Sequence, residues 1–138
     1  MTRAKVLLAD DHPLVAEGLA SLLRNDFDLV GIVSDGLALV DAARRLRPDV
    51  IVADLQMPRM SGLEALRRLR SEGIDTRFLF LTWHAEPELA AGVIREGAAG
   101  FMLKSEVGDH LHAAIGEVLN GRVYVSAALV RPERRTDG

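Results

Sequence analysis

Apolar residues recur along this chain in two alternating patterns. Five short stretches are apolar at nearly every position, as expected for strands of a parallel sheet that is covered on both faces. These stretches are residues 5–9, 29–33, 50–53, 78–81 and 100–103. Each is followed by a segment whose apolar residues lie three or four positions apart, the spacing of an amphipathic helix. The pattern therefore predicts five strand–helix units.

Residues with special backbone preferences stand where these helices should begin and end. Residues 61–64, Ser-Gly-Leu-Glu, have the sequence of a capping box at the start of the third helix. His12 and Pro13 mark the entrance to the first helix, with proline at an early helical position. Three helical segments are followed by glycine, which favours the left-handed conformation of a helix C-terminus: Gly73, Gly97 and Gly121.

The alternation of strands and helices predicts an α/β fold. Because parallel crossovers are right-handed, the helices should cover both faces of one twisted sheet. A flavodoxin-like, doubly wound, five-stranded parallel sheet with strand order 2-1-3-4-5 is the leading candidate at this size. Any functional site should then lie at the carboxyl edge of the strands.

The length of 138 residues is enough for one domain with a substantial core. The alternating pattern places this domain at residues 1–123. The apolar period fades from about Ala127, and residues 131–138 are polar and charged. We therefore expect residues 124–138 to be a C-terminal tail or the start of a linker to an absent output domain.

Composition and charge argue against several classes of protein. The longest stretch without a charged or polar side chain is residues 97–103, whereas a membrane span needs about 20 residues. The N-terminus lacks the apolar stretch of a secretory signal, and a chain without cysteine has no disulfides. The net charge of −3 argues against a surface built to bind nucleic acid. We expect a cytoplasmic protein that binds neither a membrane nor DNA directly.

Three aspartates follow strands that should be neighbours. Asp10 and Asp11 come directly after the first strand, and Asp54 follows the third. With the predicted strand order, all three converge on one small acidic pocket. Carboxylates this close repel one another, so they either hold protons or gather around a cation. Mg²⁺ suits a few carboxylate oxygens together with a carbonyl oxygen and water.

A hydroxyl and an ammonium group reach the same edge of the sheet. Thr82 ends the fourth strand, and Lys104, one of only two lysines, follows the fifth. Lysine is a recurrent phosphate ligand, and a threonine hydroxyl can donate to a phosphoryl oxygen. Together with the acidic pocket they predict a site that moves a phosphoryl group onto a carboxylate. Asp54 has the best position for the nucleophile.

These residues resemble the receiver domains of response regulators in two-component signalling. Residues 10–19 are similar to the opening of the NarL/FixJ (LuxR-type) subfamily, and the resemblance extends from about Lys5 to Val123. It is carried by the acidic pair, the loop after the third strand and the ends of the last two strands: residues 10–11, 54–58, 61–62, 81–82 and 97–104. The resemblance implies a CheY-like fold and a role in phosphorelay signal transduction and transcription regulation.

The resemblance also implies a role for each acidic residue. Asp54 would accept a phosphoryl group from the phosphohistidine of a sensor histidine kinase. Asp11, Asp54 and the backbone carbonyl of Gln56 would hold Mg²⁺, with Asp10 assisting through water. The chain would thus be a phosphoacceptor domain that promotes its own phosphotransfer and slow dephosphorylation, and not an enzyme acting on a separate substrate.

A conformational switch is a further implication of the resemblance. Thr82 and Lys104 would bind the phosphoryl oxygens, and the threonine would shift toward the new charge. Phe101 stands where the family most often has a tyrosine, whose inward rotation remodels the face of the fourth helix, fifth strand and fifth helix. Phenylalanine lacks the phenolic hydroxyl, but the resemblance still allows coupling through the aromatic rotamer.

Residues beside the predicted site are expected to tune it. Trp83 stands where receivers usually have a small residue, and its indole could narrow the access of small phosphodonors and of water. We therefore predict that Trp83 slows autodephosphorylation. Gln56 and His84 lie two residues after Asp54 and Thr82, at positions that tune phosphate lifetime in the family.

Histidines suggest no second site. His12, His110 and His112 are not accompanied by a recognisable set of metal ligands, so the sequence favours polar surface positions for them.

Two functions from different classes remain open at this point. The first is a phosphorylation-controlled receiver that partners a sensor kinase and forms a homodimer, through either the first and fifth helices or the fourth helix, fifth strand and fifth helix. The second is a degenerate receiver that acts as a phosphorylation-independent interaction or dimerisation module, for which Trp83 and Phe101 would be the signs. A phosphate-handling enzyme is disfavoured because the first loop lacks a glycine-rich phosphate cradle.

Overall fold

The computed structural model describes residues 3–130, which form a six-stranded sheet with helices on both faces. The strands are β1 Lys5–Ala9, β2 Asp28–Val33, β3 Val50–Asp54, β4 Arg77–Thr82, β5 Gly100–Leu103 and β6 Tyr124–Val125. The helices are α1 Pro13–Arg24, α2 Gly36–Leu46, α3 Gly62–Ser71, α4 Pro87–Arg95 and α5 Val107–Leu119. Short 3₁₀ turns occupy Lys104–Glu106 and Ala127–Leu129.

The sheet is parallel, with the order β2-β1-β3-β4-β5-β6. The predicted doubly wound fold and the strand order 2-1-3-4-5 are therefore confirmed, and β6 extends the sheet by one strand. This strand has only two residues, too few to produce a recognisable alternating pattern. Leu129 is buried after it, so the packed fold continues past Val123, where the sequence places the domain boundary. Residues 131–138 of the predicted tail, which was placed at residues 124–138, lie outside the described residues.

Two apolar layers enclose the sheet. One lies between the sheet and helices α2, α3 and α4, and the other lies between the sheet and helices α1 and α5. Strands β1, β3 and β4 each contribute side chains to both layers, which explains why these strands are apolar at nearly every position. No helix within residues 3–130 is long and apolar enough to span a bilayer.

The loop after β3 is shaped by local signals that the sequence predicts. Ser61 and Glu64 form both hydrogen bonds of a capping box at the start of α3. The N–H of Gly62 donates to the Leu55 carbonyl at 2.8 Å, which folds the loop back on the end of β3. A Cβ at Gly62 would approach the Asp54 carbonyl oxygen to 2.7 Å, so glycine is required for this return. The capping box and the glycine thereby fix the backbone beside Asp54.

Candidate functional site

The carboxyl edge of the sheet brings the predicted acidic residues together. In the sheet register Ala9 pairs with Ala53, so Asp10 and Asp54 leave adjacent strands side by side. Asp10 and Asp54 are buried, whereas Asp11 is partly exposed. One side-chain atom from each of Asp10, Asp11, His12 and Asp54 lies within 4.8 Å of the others. These four residues form what we call the acidic pocket.

Lys104 contributes a buried ammonium group to the acidic pocket. Its Nζ donates to Asp54 Oδ2 at 2.9 Å and lies 3.0 Å from Asp10 Oδ2. The N–H of Leu103 donates to Ser126 Oγ at 3.1 Å, which anchors the end of β5 just before the lysine. The ammonium is only one positive charge against three carboxylates. The pocket therefore keeps an excess of acceptor atoms and negative charge that a cation would relieve.

His12 also belongs to the acidic pocket, which the sequence pattern does not predict. Its Nδ1 lies 3.0 Å from Asp10 Oδ1, 3.2 Å from Asp11 Oδ1 and 3.7 Å from Asp54 Oδ2. The predicted surface position of His12 is confirmed, since its side chain is 55% exposed. The prediction that it lacks neighbouring metal-ligating groups is wrong, because three carboxylates lie close to its ring. The carboxylates that surround its ring come from the two residues that precede it and from β3, and only the folded sheet brings Asp54 close. The sequence signal that could have predicted this contact is the position of His12 directly after Asp10 and Asp11.

The residues of the pocket fit a divalent cation. Asp11 Oδ1 is buried and accepts no hydrogen bond. Asp10 Oδ2 differs from it, because its charge is paired with the Lys104 ammonium at 3.0 Å. Buried acceptor atoms normally have a donor, so atoms left without one indicate a missing ligand. Mg²⁺ prefers such hard oxygen atoms and keeps several waters. Mg²⁺, the cation that the family implies, therefore fits the carboxylate oxygens of the acidic pocket.

Three of the predicted residues flank the acidic pocket. Thr82 ends β4, and its Oγ1 accepts a hydrogen bond from the His84 N–H at 3.2 Å. The Gln56 N–H donates to Asp54 Oδ1 at 3.2 Å. Asp54 thus receives a backbone donor on one oxygen and the ammonium on the other. Thr82 lies at the same edge, although its described hydrogen bond is to His84 and not to the acidic pocket.

The two aromatic residues occupy different environments. The Trp83 side chain is about half exposed, and its ring centroid lies 5.5 Å from the Lys104 Nζ. A cation this close to an indole face gains a favourable cation–π contact. Phe101 is completely buried on β5, opposite Phe80 of β4. Trp83 is therefore next to the site, whereas Phe101 is a core residue one strand away.

The sequence of the chain matches the family of response regulator receiver domains over residues 6–116. The chain belongs to this family, and its relatives are response regulators of the NarL/LuxR type.

Individual relatives are identical to this chain at about a third of the aligned residues, and those with solved structures have the same fold. A nitrate/nitrite response regulator homologue from Haemophilus influenzae is 39% identical over 129 residues, covering 92% of this chain and 62% of that protein. The solved receiver domain of NarL from Mycobacterium tuberculosis is 32% identical with a TM-score of 0.84, covering 88% of this chain and 100% of that one. A LuxR-family regulator from Aurantimonas sp. SI85-9A1 is also 32% identical, with a TM-score of 0.86 and 93% of each chain covered.

The chain spans about three fifths of the length of the curated relatives it matches, 62% for the Haemophilus protein. It corresponds to the receiver part of NarL-type response regulators. Nothing in these comparisons favours the degenerate, phosphorylation-independent module over a phosphorylation-controlled receiver.

Proposed function

We propose that Asp54 is the phosphoryl acceptor of this receiver domain and that a sensor histidine kinase is the donor. Receiver domains of response regulators interact with such kinases. The observation that carries the proposal is the placement of the Asp54 carboxylate between the Lys104 ammonium, at 2.9 Å, and the other two aspartates. A nucleophile at the end of a central strand, beside a cation site and a lysine, has what phosphoryl transfer needs.

In the proposed transfer an Asp54 oxygen attacks the phosphorus of the donor phosphohistidine. A P–O bond forms, the P–N bond breaks, and the imidazole nitrogen of the donor keeps the electron pair. The Gln56 N–H holds one carboxylate oxygen in place, so the side chain is oriented before attack. Lys104 already contacts the other oxygen and would move onto the phosphoryl oxygens once the acyl phosphate has formed.

Asp11, Asp54 and the Gln56 carbonyl would hold Mg²⁺, with Asp10 acting through a water molecule. Neutralisation of the charge on the transferring phosphoryl group is the chemistry that this ion supplies when bound. The support for the assignment is the buried Asp11 Oδ1, which has no hydrogen bond of its own. Asp10 is fully buried and contacts Lys104, so its part is to hold the lysine and a metal-bound water.

Thr82 and Phe101 are the proposed switch. An aspartyl phosphate brings about −1.5 to −2 charges to the edge of the sheet. Thr82 would release its hydrogen bond from His84 and donate to a phosphoryl oxygen instead. Phe101 pairs with the strand that ends at Thr82, so a shift of that strand end changes the packing under α4. The switch is then a population shift between two packings of β5 and α4.

Output and assembly are proposals for the longer protein that the relatives suggest. We propose that the switched face of α4, β5 and α5, or alternatively the face of α1 and α5, pairs two receivers. The printed names of the relatives concern transcriptional regulators, so transcription is the proposed output. We propose that DNA contacts come from outside this chain, whose net charge is −3.

Acetyl phosphate and Mg²⁺ provide a direct test. We expect the chain to incorporate one acid-stable but hydroxylamine-labile phosphate, and Asp54→Asn to abolish the incorporation. Asp109→Asn is the matched control, since Asp109 is an exposed aspartate on α5. Incorporation that persists in Asp54→Asn, or that is absent from the unmodified chain, would overturn the proposal.

A further inference from the structure

Ser126 is a buried polar residue that lies outside the acidic pocket. Four polar or charged residues within residues 3–130 are buried: Asp10, Asp54, Lys104 and Ser126. The first three meet at the acidic pocket, whereas Ser126 follows the short strand β6, with 1% of its surface exposed. Burial of a hydroxyl costs free energy unless the hydroxyl is hydrogen-bonded. The bonding partners of Ser126 therefore indicate why a polar residue occupies this position.

Ser126 makes two hydrogen bonds to β5. Its N–H donates to the Phe101 carbonyl at 3.1 Å, and its Oγ accepts from the Leu103 N–H at 3.1 Å. The pairing of β5 with β6 ends at Phe101 and Val125, so the hydroxyl supplies the acceptor that a longer β6 would have supplied. Leu103 is buried, and a buried N–H without an acceptor is destabilising. The end of β5 is thus held by one serine side chain.

The anchored N–H belongs to the residue directly before Lys104. Lys104 begins the 3₁₀ turn after β5, and its Nζ lies 2.9 Å from Asp54 Oδ2. A lysine side chain is a flexible four-carbon stem, so the place of its ammonium depends on the backbone from which the stem starts. The hydrogen bond between Leu103 and Ser126 fixes that backbone one residue away from the lysine.

We propose that Ser126 is a positioning residue for phosphoryl transfer, because its hydroxyl holds the end of β5 where the Lys104 ammonium reaches the phosphoryl oxygens. This inference rests on the proposed function of Asp54 and Lys104. The proposed cation ligands Asp11, Asp54 and the Gln56 carbonyl stand at the ends of β1 and β3, so cation binding does not depend on the serine. The segment after α5 is in this way a part of the site, although it contacts no phosphoryl group.

Binding of beryllofluoride tests whether the hydroxyl acts through the ammonium. Beryllofluoride mimics the phosphoryl group that Lys104 holds, whereas Mg²⁺ takes only oxygen ligands. The fluorescence of Trp83, the sole tryptophan, follows both titrations of the full chain. We expect Ser126→Ala to weaken beryllofluoride binding by about tenfold at saturating Mg²⁺, since misplacement of a group by about 1 Å can cost roughly 100-fold. The Kd of Mg²⁺ should change by less than about twofold, because its oxygen ligands are retained.

Two further variants separate positioning from a general loss of stability. Ser126→Thr keeps the hydroxyl and should bind beryllofluoride about as tightly as the unmodified chain. Ile74→Val trims a buried side chain between α3 and β4, at the opposite edge of the sheet, and should lower stability without weakening beryllofluoride binding. Amide hydrogen exchange at Leu103 should be faster in Ser126→Ala, which reports the lost hydrogen bond without any phosphate chemistry.

Three results would overturn the inference. They are beryllofluoride binding by Ser126→Ala that equals that of the unmodified chain, an equal loss of binding in Ser126→Thr and Ser126→Ala, and an equal weakening of Mg²⁺ and beryllofluoride binding in Ser126→Ala. Phosphate incorporation by the unmodified chain, and its loss in Asp54→Asn, shows separately whether the proposed function holds. An unmodified chain that incorporates phosphate on Asp54, together with full beryllofluoride affinity in Ser126→Ala, would sink the role of the serine alone.

Discussion

Two groups of charged residues in this molecule are built from the same chemistry and are used in opposite ways. The acidic pocket gathers Asp10, Asp11 and Asp54 around one lysine at the carboxyl edge of the sheet. The second group, which we call the arginine network, links α2, α3 and α4 on the outer surface through ion pairs: Arg44, Arg67, Arg68, Glu72 and Glu96. The pocket is largely buried, whereas the network is in contact with solvent.

The charge balance of the two groups differs as well. In the arginine network Glu72 accepts hydrogen bonds from two arginines, at 2.8 Å from Arg44 Nε and 3.0 Å from Arg68 Nε. Both oxygens of each carboxylate there accept hydrogen bonds from arginine. In the acidic pocket the carboxylates outnumber the lysine, and the buried Asp11 Oδ1 accepts no hydrogen bond. The carboxylates of the arginine network are paired with arginines, whereas the acidic pocket needs a cation to balance its excess negative charge.

Replacement of Lys104 should have the largest effect. Without its ammonium, the buried carboxylates of Asp10 and Asp54 lose their partner, and breaking a buried pair in this way costs about 3–5 kcal/mol. We expect Lys104→Met to lower the free energy of unfolding by that amount in urea without divalent cations. Lys5→Met is the matched control, because the Lys5 Nζ makes a single hydrogen bond to the Leu46 carbonyl, and it should cost about 1 kcal/mol or less. Equal losses of unfolding free energy in the two variants would show that Lys104 is not a buried ion-pair partner of the acidic pocket.

Added Mg²⁺ should stabilise the fold through the acidic pocket. A ligand present at about 100 times its Kd stabilises the native state by about 2.7 kcal/mol. We expect Asp11→Asn to lose most of this gain while remaining folded, since Asp11 is only partly buried. Urea unfolding with and without Mg²⁺ measures the gain, and Asp109→Asn should keep it. A full Mg²⁺ effect in Asp11→Asn would remove Asp11 from the cation site.

Trp83 should change the lifetime of the phosphate and not its formation. Its ring covers Lys104 at 5.5 Å, and such a contact at an exposed position is worth about 0.5–1 kcal/mol. We predict that Trp83→Ala loses phosphate about threefold faster, as that energy implies. The decay of radiolabelled phosphate measures the rate, and Trp83→Phe should stay close to the unmodified chain because it keeps a ring. Equal or slower decay in Trp83→Ala would count against this role.

Glu72 should give the smallest effect, visible only in acid. Hydrogen bonds from Arg44, with help from Arg68, lower the Glu72 pKa from 4.5 to about 2. A depressed carboxyl pKa contributes stability above the unfolded-state pKa, and this contribution is lost as the pH falls from 4.5 toward about 2. Glu72→Gln should therefore flatten the decline of urea midpoints in this window. Asp41→Asn, which removes an exposed pair with Arg45, should flatten it less.

Prediction from sequence succeeded where the strand order alone determines which residues lie close together in space. The parallel sheet places the carboxyl ends of β1, β3 and β5 at one edge, so the proximity of Asp10, Asp54 and Lys104 needed only the topology. The glycines after the helices were equally predictable, since Gly73, Gly97 and Gly121 have positive φ in the structure.

Prediction failed where the decisive contact depends on a side-chain direction. Nothing in the sequence says that the His12 ring turns toward the carboxylates instead of capping α1. The short strand β6 was missed because a two-residue strand has no periodicity, and its pairing with β5 arises only after α5 has packed. The exposure of Trp83 and the burial of Phe101 likewise depend on how the ends of β4 and β5 are covered.

The central claim is that the acidic pocket accepts a phosphoryl group on Asp54 with the help of a cation. Titration with beryllofluoride, a phosphoryl mimic, can be followed through the fluorescence of Trp83, the sole tryptophan of the chain. We predict a saturable change that requires Mg²⁺ and is absent from Asp54→Asn. No change in the unmodified chain, or the same change in Asp54→Asn, would contradict the account.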